Sequence, residues 1–427
     1  MLLIKKGRVI NPATGVNDVL DVLIEDGIVT VMERDIKRPD CRVIDASGCF
    51  VMPGFIDLHV HLRTPGQEYK EDMVSGTKAA AKGGVTTVVA MPNTKPVVGT
   101  AETVNWIKNK AKEDALVNVC VVGCITKDMA GKELSDIEAM IDAGICALSE
   151  DGKSVMDSGL YRKAMKIAAK RGIPVLAHCE DINLVEGGVM NLDENSKRLG
   201  LQGISNAVED IIAARDILIA KETGAKLHLC HCSTKLSAEM IRKAVSDGVD
   251  VSGEVCPHHF TLTSDDIKTN DSAYKMNPPL RGREDKEALI AGLKNNIFNI
   301  ISTDHAPHSA EEKAKPMEEA PFGIVGLETS AALTYTELVD KGIISISDMV
   351  MKMSTNPAGV LGIDKGDISP GHVADIVIFD PQAEYTIDKE SFVSKGKNTP
   401  FDGRRVKGRV EVTVVGGKVV YERGEFV

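Results

Sequence analysis

Aromatic residues are scarce in this chain. One Trp, six Tyr and nine Phe make up 4% of its 427 residues. A stacking platform for single-stranded nucleic acid needs more aromatic faces than that. A basic excess is also missing: 51 Lys and Arg stand against 62 Asp and Glu, for a formal net charge of −11. That balance disfavours a nucleic-acid or anionic-membrane partner, and leaves room for a local basic pocket around an anionic small molecule. No apolar run reaches transmembrane length. The opening MLLIKKGRVI places a charged pair where the apolar core of a signal peptide would run, so no secretory leader is expected. Nine cysteines, an odd number scattered through apolar segments, do not read as a disulfide framework. These absences describe a cytoplasmic protein with reduced thiols.

What is present is apolar and alternating. Hydrophobic residues make up 43% of the chain, enough for a large core. Residues 1–52 read as short strands, Ile4 to Ile10, Asp21 to Glu25, Ile28 to Met32 and Arg42 to Asp45, with turns at Asn11-Pro12 and Asp26-Gly27. The C-terminal part is similar: Ala374 to Asp380, Val406 to Val415 and Lys418 to Glu422, with a hairpin turn at Gly416-Gly417. Neither end can bury a core alone. The spacing therefore predicts one small β-sandwich domain built from both termini, 1–52 plus 366–427. The body, 53–365, alternates apolar strands with helical patterns. Its strands are Phe55 to Leu58, Thr86 to Ala90, Asn118 to Gly123, Cys146 to Ser149, Pro174 to Ala177, Lys226 to Cys230, Asp250 to Val255 and Asn299 to Ser302. Eight βα units point to an α/β fold with a (β/α)₈ TIM-type barrel, the competing arrangement being a doubly wound sheet.

Catalytic groups of such a barrel project from the C-terminal ends of its strands. The first strand runs into His59-Val60-His61. Side chains at i and i+2 of a strand share a face, so the two histidines can grip one metal ion. Glu150 and Asp151 follow the fourth strand, His178 the fifth, His231 the sixth and Asp304 the eighth. Any one of these alone reads as a structural histidine or a helix cap. Four histidines and two aspartates at the ends of five strands read as a metal centre. Six ligands exceed the need of one catalytic zinc and suit two metals with a shared carboxylate; imidazole and carboxylate donors make Zn²⁺ the default. Cys230 and Cys232 flank His231, and strand alternation points both away from the face that His231 uses, so they read as buried thiols, as does Cys179. His258 and His259 have no coordination place left and read as supporting residues.

Longer motifs carry a family resemblance: DLHVHLRTPG (57–66), MPNT (91–94), SEDGKSV (149–155), AHCED (177–181), HLCHCST (228–234), KMNPPLR (275–281) and STDHAPHS (302–309). Spread over nearly the whole chain, they resemble the amidohydrolase superfamily and, within it, the class I bacterial dihydroorotases. The resemblance implies a zinc-dependent cyclic amidohydrolase with two Zn²⁺ per subunit. It implies that His59, His61 and Asp304 bind one ion, that His178 and His231 bind the other, and that Asp151 bridges them. Relatives such as hydantoinases carry a carboxylated lysine at the bridge, and Lys153 is the nearby lysine that competes with Asp151 here. Substrate contacts are implied for Arg63, Asn93, Asn277, His308 and the Phe322-Gly323 backbone.

The implied reaction is the reversible cyclisation of N-carbamoyl-L-aspartate to L-dihydroorotate, in de novo pyrimidine biosynthesis, through a hydroxide bridging the two metals. Asp304 acts as general base and then general acid. Arg63, two residues past His61, is expected on the same face, where it can clamp the substrate carboxylate bidentately. The alternative is a hydantoinase or dihydropyrimidinase, which would need the carboxylated lysine and would lack the Arg63–Asn93 clamp. A non-catalytic scaffold would have lost ligands. The charged segment 305–321 reads either as a solvated loop or as a lid carrying His308 and Phe322-Gly323. A homodimer stays open, as does a complex with aspartate transcarbamoylase, which is a partner of some family members.

Overall fold

The computed structural model describes residues 1–427. Its N-terminal strands are β1 (Leu2–Asn11), β2 (Val16–Glu25), β3 (Ile28–Glu33), β4 (Arg42–Asp45) and β5 (Phe50–Pro53). Asp26 and Gly27 link β2 to β3, both at positive φ (49° and 84°). That is the backbone a two-residue hairpin with right-handed twist demands.

The body supplies eight parallel strands: β6 (Phe55–Val60), β7 (Val85–Ala90), β8 (Asn118–Cys124), β9 (Ala147–Ser149), β10 (Val175–Ala177), β11 (Leu227–Leu229), β12 (Val251–Val255) and β13 (Ile300–Ile301). They pair in chain order. The barrel closes where Val60 bridges His305 and where His61 N donates to His305 O at 2.9 Å. Helices between the strands include Met73–Lys82, Ala101–Asp114, Ser158–Arg171, Ala207–Thr223, Lys235–Ser246 and Arg283–Lys294. Their starts follow from local chemistry. Asp72 accepts from Ser75 N in a reciprocal capping box, and Asp157 accepts from Gly159 N and Leu160 N.

Two apolar layers hold the barrel. Ile56, Leu58, Val89, Val122, Leu176 and Ile300 fill the interior, where Val360 and Leu361 join them. A larger cluster of 62 residues lies outside, between strands and helices. The rim at the C-terminal ends of the strands therefore sits on a packed floor.

The C-terminal strands are β14 (Ile376–Thr386), β15 (Arg405–Val415), β16 (Lys418–Glu422) and β17 (Glu425–Phe426). β14 pairs antiparallel with β5, Met52 opposite Val377, so the two termini form one continuous hydrogen-bonded sheet of nine strands. Sixteen residues from both ends, among them Ile4, Val22, Ile376 and Val412, share its core. The sandwich read from two β-rich ends is thus a sheet whose halves are joined edge to edge.

Candidate active site

The rim gathers side chains from five strand ends. His59 lies near the end of β6 and His61 just past it, Asp151 follows β9, His178 follows β10, His231 follows β11, and Asp304 follows β13. Asp151 sits at the centre. Its Oδ1 lies 3.0 Å from His59 Nε2, 3.5 Å from His178 Nδ1 and 3.8 Å from His231 Nε2, and its Oδ2 lies 3.4 Å from His61 Nε2. Asp304 Oδ1 lies 3.1 Å from His61 Nε2 and 3.5 Å from His59 Nε2. Two groups emerge, His59–His61–Asp151 and Asp151–His178–His231, each with ligand atoms within 4.8 Å of one another.

The hydrogen bonds behind these histidines fix which nitrogen faces inward. His59 Nδ1 is 3.0 Å from Glu254 Oε1, His61 Nδ1 is 2.9 Å from Asn93 Oδ1, and His178 Nε2 is 2.9 Å from Glu180 Oε2. Each of these nitrogens donates outward, so the opposite nitrogen offers a lone pair towards Asp151. His178 Nδ1 and His231 Nε2 approach to 2.8 Å. His59 Nε2 and Asp151 Oδ1, both shielded from water, make no hydrogen bond. Converging lone pairs and orphaned buried atoms of this kind fit shared cations, and N/O donors of this type suit zinc. Asp151 stays a carboxylate: burial pushes its pKa up, but the neighbouring histidines, His59 foremost, hold it well below the ordinary value. Lys153 Nζ donates to Met129 O at 3.0 Å and takes no part in this cluster.

Glu254 was not among the sequence candidates. It is fully buried, accepts from His59 through Oε1 and from His231 N at 3.0 Å, and through Oε2 meets His228 Nε2 at 3.0 Å. His228 Nδ1 in turn meets Ser252 Oγ at 2.8 Å. A carboxylate next to the end of the largely buried strand VSGEV was the available signal. Glu180 does the same for His178 and is held by Asn277 Nδ2 at 2.9 Å.

Above the ligands opens a cavity of about 220 Å³. It is lined by His61, Arg63, Asn93, Asp151, His178, His231, Asn277, Asp304, His308, Phe322 and Gly323, with Gly152 and Ala306. His59 lies beneath this floor, fully buried. One wall is cationic. Arg63 Nε donates to Pro307 O at 3.2 Å, and Lys70 Nζ lies 3.3 Å from His308 Nδ1. Burial, and then the charges of Arg63, Lys70 and Lys313, push His308 down to about 3, so its ring is neutral. Its Nε2 donates to Phe322 O at 2.8 Å, while Gly323 N donates to Lys275 O at 2.9 Å.

Two sequence arguments reached the right place by the wrong route. β6 ends at Val60 and Arg63 takes φ 58°, so a left-handed residue, not strand alternation, aims the guanidinium. β11 ends at Leu229 and His231 takes φ 34°, which breaks the alternation there. As a result Cys230 lies inside the barrel and Cys232 in the outer layer, both as buried thiols that burial pushes up. His259 Nε2 donates to Pro278 O at 3.0 Å, and neither it nor His258 lines the cavity.

A dihydro-orotase-like family model matches residues 48–237, and an amidohydrolase family model matches 325–421. A curated dihydroorotase of Geobacter metallireducens is 49% identical over 423 residues, covering 99% of this chain and 100% of that one. The chain belongs to the dihydroorotase family. A second dihydroorotase, of Acetivibrio thermocellus, is 46% identical over 98% of both chains. Among solved structures, an L-hydantoinase from Arthrobacter aurescens matches with TM-score 0.90 at 29% identity, over 100% of this chain and 97% of that one. A dihydropyrimidinase from Brevibacillus agri matches with TM-score 0.86 at 26% identity, over 100% and 96%. The hydantoinase likeness carries the barrel fold; the higher identity lies with the dihydroorotase family.

Proposed function

We infer that this chain catalyses the reversible cyclisation of N-carbamoyl-L-aspartate to L-dihydroorotate, as a zinc enzyme of pyrimidine biosynthesis. The observation that carries the reading is the pairing of full-length identity to dihydroorotases with Arg63 set on the cavity wall beside the ligand cluster. A hydantoin ring has no carboxylate for that guanidinium to hold.

His59, His61 and Asp304 would hold one zinc and His178 and His231 the other, with Asp151 between. When bound, the ions supply Lewis acidity and lower the pKa of water. The protein's own groups do the rest. Arg63 binds the substrate carboxylate, with Asn93 as a hydrogen-bond partner and His308, Asn277 and the Phe322-Gly323 backbone lining the site around the ring. Asp304 takes a proton from water as oxygen adds to the amide carbon, and delivers it to the nitrogen as the C–N bond breaks. Burial pushes the Asp304 pKa up, but His59 and His61 hold it lowered, so it starts as the carboxylate that a base must be. In the cyclisation direction the same group takes the ureido proton.

No helix is long and apolar enough to cross a membrane. Nine free cysteines, several half-buried, support a reducing cytoplasm as the setting. Homodimerisation and a transcarbamoylase complex are proposals that size-exclusion chromatography of the protein, alone and with the transcarbamoylase, would test. For the activity, purified protein is assayed with L-dihydroorotate and with dihydrouracil, beside elemental metal analysis. Turnover of dihydroorotate with bound zinc is expected; preference for dihydrouracil would sink the reading.

A further inference from the structure

The wall that faces the substrate is held by a residue from the other end of the chain. Asn398 lies in the segment between β14 and β15 and is 6% exposed. Its Nδ2 donates to Ala306 O at 3.1 Å and to Gly323 O at 3.0 Å. Its Oδ1 accepts from His308 N at 3.2 Å, and its main-chain carbonyl accepts from Val325 N at 2.9 Å. Both N–H bonds of the carboxamide are thus used on the loop. Its partners are the two limbs of one loop: 306–308, leaving β13, and 323–325, returning.

The fit is tight on both sides. A Cβ on Gly396 would fall 2.7 Å from Asn398 Oδ1 and 2.8 Å from Pro307 Cβ. A Cβ on Gly323 would fall 2.8 Å from Ala306 O, at a φ of 131° that side chains rarely adopt. Gly323 O also accepts from Lys313 Nζ at 3.0 Å, so this carbonyl is gripped from outside the loop by Asn398 and from within it by Lys313. The groups so fixed are those assigned to substrate: His308, the Phe322-Gly323 backbone and, through Pro307 O, Arg63.

We propose that Asn398 is a positioning residue for the substrate carboxylate, clamping the two limbs of the 306–325 loop so that Arg63, anchored on Pro307 O and backed by His308, presents a preformed anion-binding wall. The proposal rests on the dihydroorotase reading of the cavity. Asn398 touches neither the candidate ligands nor the cavity, so its loss acts on substrate affinity and leaves the metal ligands alone.

The test compares Asn398→Asp, Asn398→Ser and Asn398→Ala with the wild-type protein. Asp keeps the shape and the acceptor for His308 N but removes both N–H donors. Losing two buried hydrogen bonds to carbonyls predicts a KM for L-dihydroorotate raised by about tenfold or more, with kcat within about threefold. Metal content stays at the wild-type level, and proteolytic cutting within 309–321 becomes faster. A KM within about twofold of wild type overturns the proposal, since that is below the loss of one hydrogen bond. A fall in active fraction and thermal midpoint with KM unchanged overturns it too, as does failure of all three variants to fold, because the residue is then structural only. Wild-type protein that does not turn over L-dihydroorotate sinks the activity reading instead. The proteolysis comparison then decides the clamp by itself: faster cutting supports it and equal cutting overturns it.

Discussion

Three residues at the site take left-handed backbone without being glycine: Arg63 at φ 58°, His231 at 34° and Asp304 at 48°. Each such conformation costs on the order of 1–3 kcal/mol and is kept only where the surroundings impose it. Here it turns the chain sharply past a strand end and aims one functional side chain. The roles of two of them separate in kinetics. Asp304→Asn is expected to keep the fold and lose roughly 10²–10⁴-fold in kcat, the range of a lost general acid–base. Arg63→Met removes a charge-assisted contact worth about 1.5–3 kcal/mol, so KM for carbamoyl aspartate should rise roughly 10–150-fold with metal content unchanged. Wild-type kcat in the first, or wild-type KM in the second, would remove that role. Glu254→Gln tests the support behind them. Glu254 accepts from His59 and His231 N through Oε1 and from His228 through Oε2; Gln offers one acceptor oxygen and no charge, so either His228 or His59 loses its acceptor and the hold on the inward tautomer of His59 weakens. Metal affinity measured by chelator competition should fall about 10–100-fold.

At the scale of elements, the strand ends were legible because barrel strands are short apolar runs followed at once by polar chemistry. All eight body strands lie where those runs lie, although β9, β10 and β11 are three residues each. Less legible was anything set by partners distant in sequence. Glu254 behind His59 and Asn398 behind His308 are separated from them by 195 and 90 positions. No periodicity records such a pairing. The charged segment after β13, read as a solvated loop or a lid, has local structure that composition does not record. It contains a capped turn of helix, Ala310–Lys313, and the fully buried Met317, and Lys275 Nζ donates to Ala320 O at 2.6 Å.

That segment has a pH signature. His308 is pushed down to about 3 when the loop is packed, against an ordinary value of 6.5. Between those values the opened loop binds a proton that the packed one refuses, so packing weakens as pH falls from about 6.5. Glu312 works in a lower window: held at about 2 against burial, with Lys70 its strongest stabilising contact and an ordinary value of 4.5, it loses its contribution only as pH falls below about 4.5. Cutting within 309–321 should therefore accelerate between about pH 6.5 and 5 in the wild-type protein and change little in His308→Gln. Saturating substrate should slow it. A flat wild-type profile would show that His308 does not gate the loop.

For the whole molecule, we propose the division into a terminal β unit, 1–52 with 366–427, and a barrel, 53–365, and expect the two to unfold as one. The core that supports the barrel is not confined to it. Val377, Phe379, Val410, Val420 and Tyr421, all from the C-terminal strands, belong to the same 62-residue cluster as Phe55, Val85 and Val88. Burying one such side chain is worth about 1.5–3 kcal/mol, so these five carry roughly 7–15 kcal/mol. That equals the net stability of a typical native chain, about 5–15 kcal/mol. Thr413 Oγ1 also donates to Ala81 O at 2.7 Å across the same boundary, and Ser394 Oγ donates to Glu71. Residues 53–365 alone should show no cooperative thermal transition, while the full chain should give a single calorimetric peak. Two resolved peaks would mean that the terminal sheet is an appendage. A single peak would mean that sheet and barrel stabilise each other through this shared core.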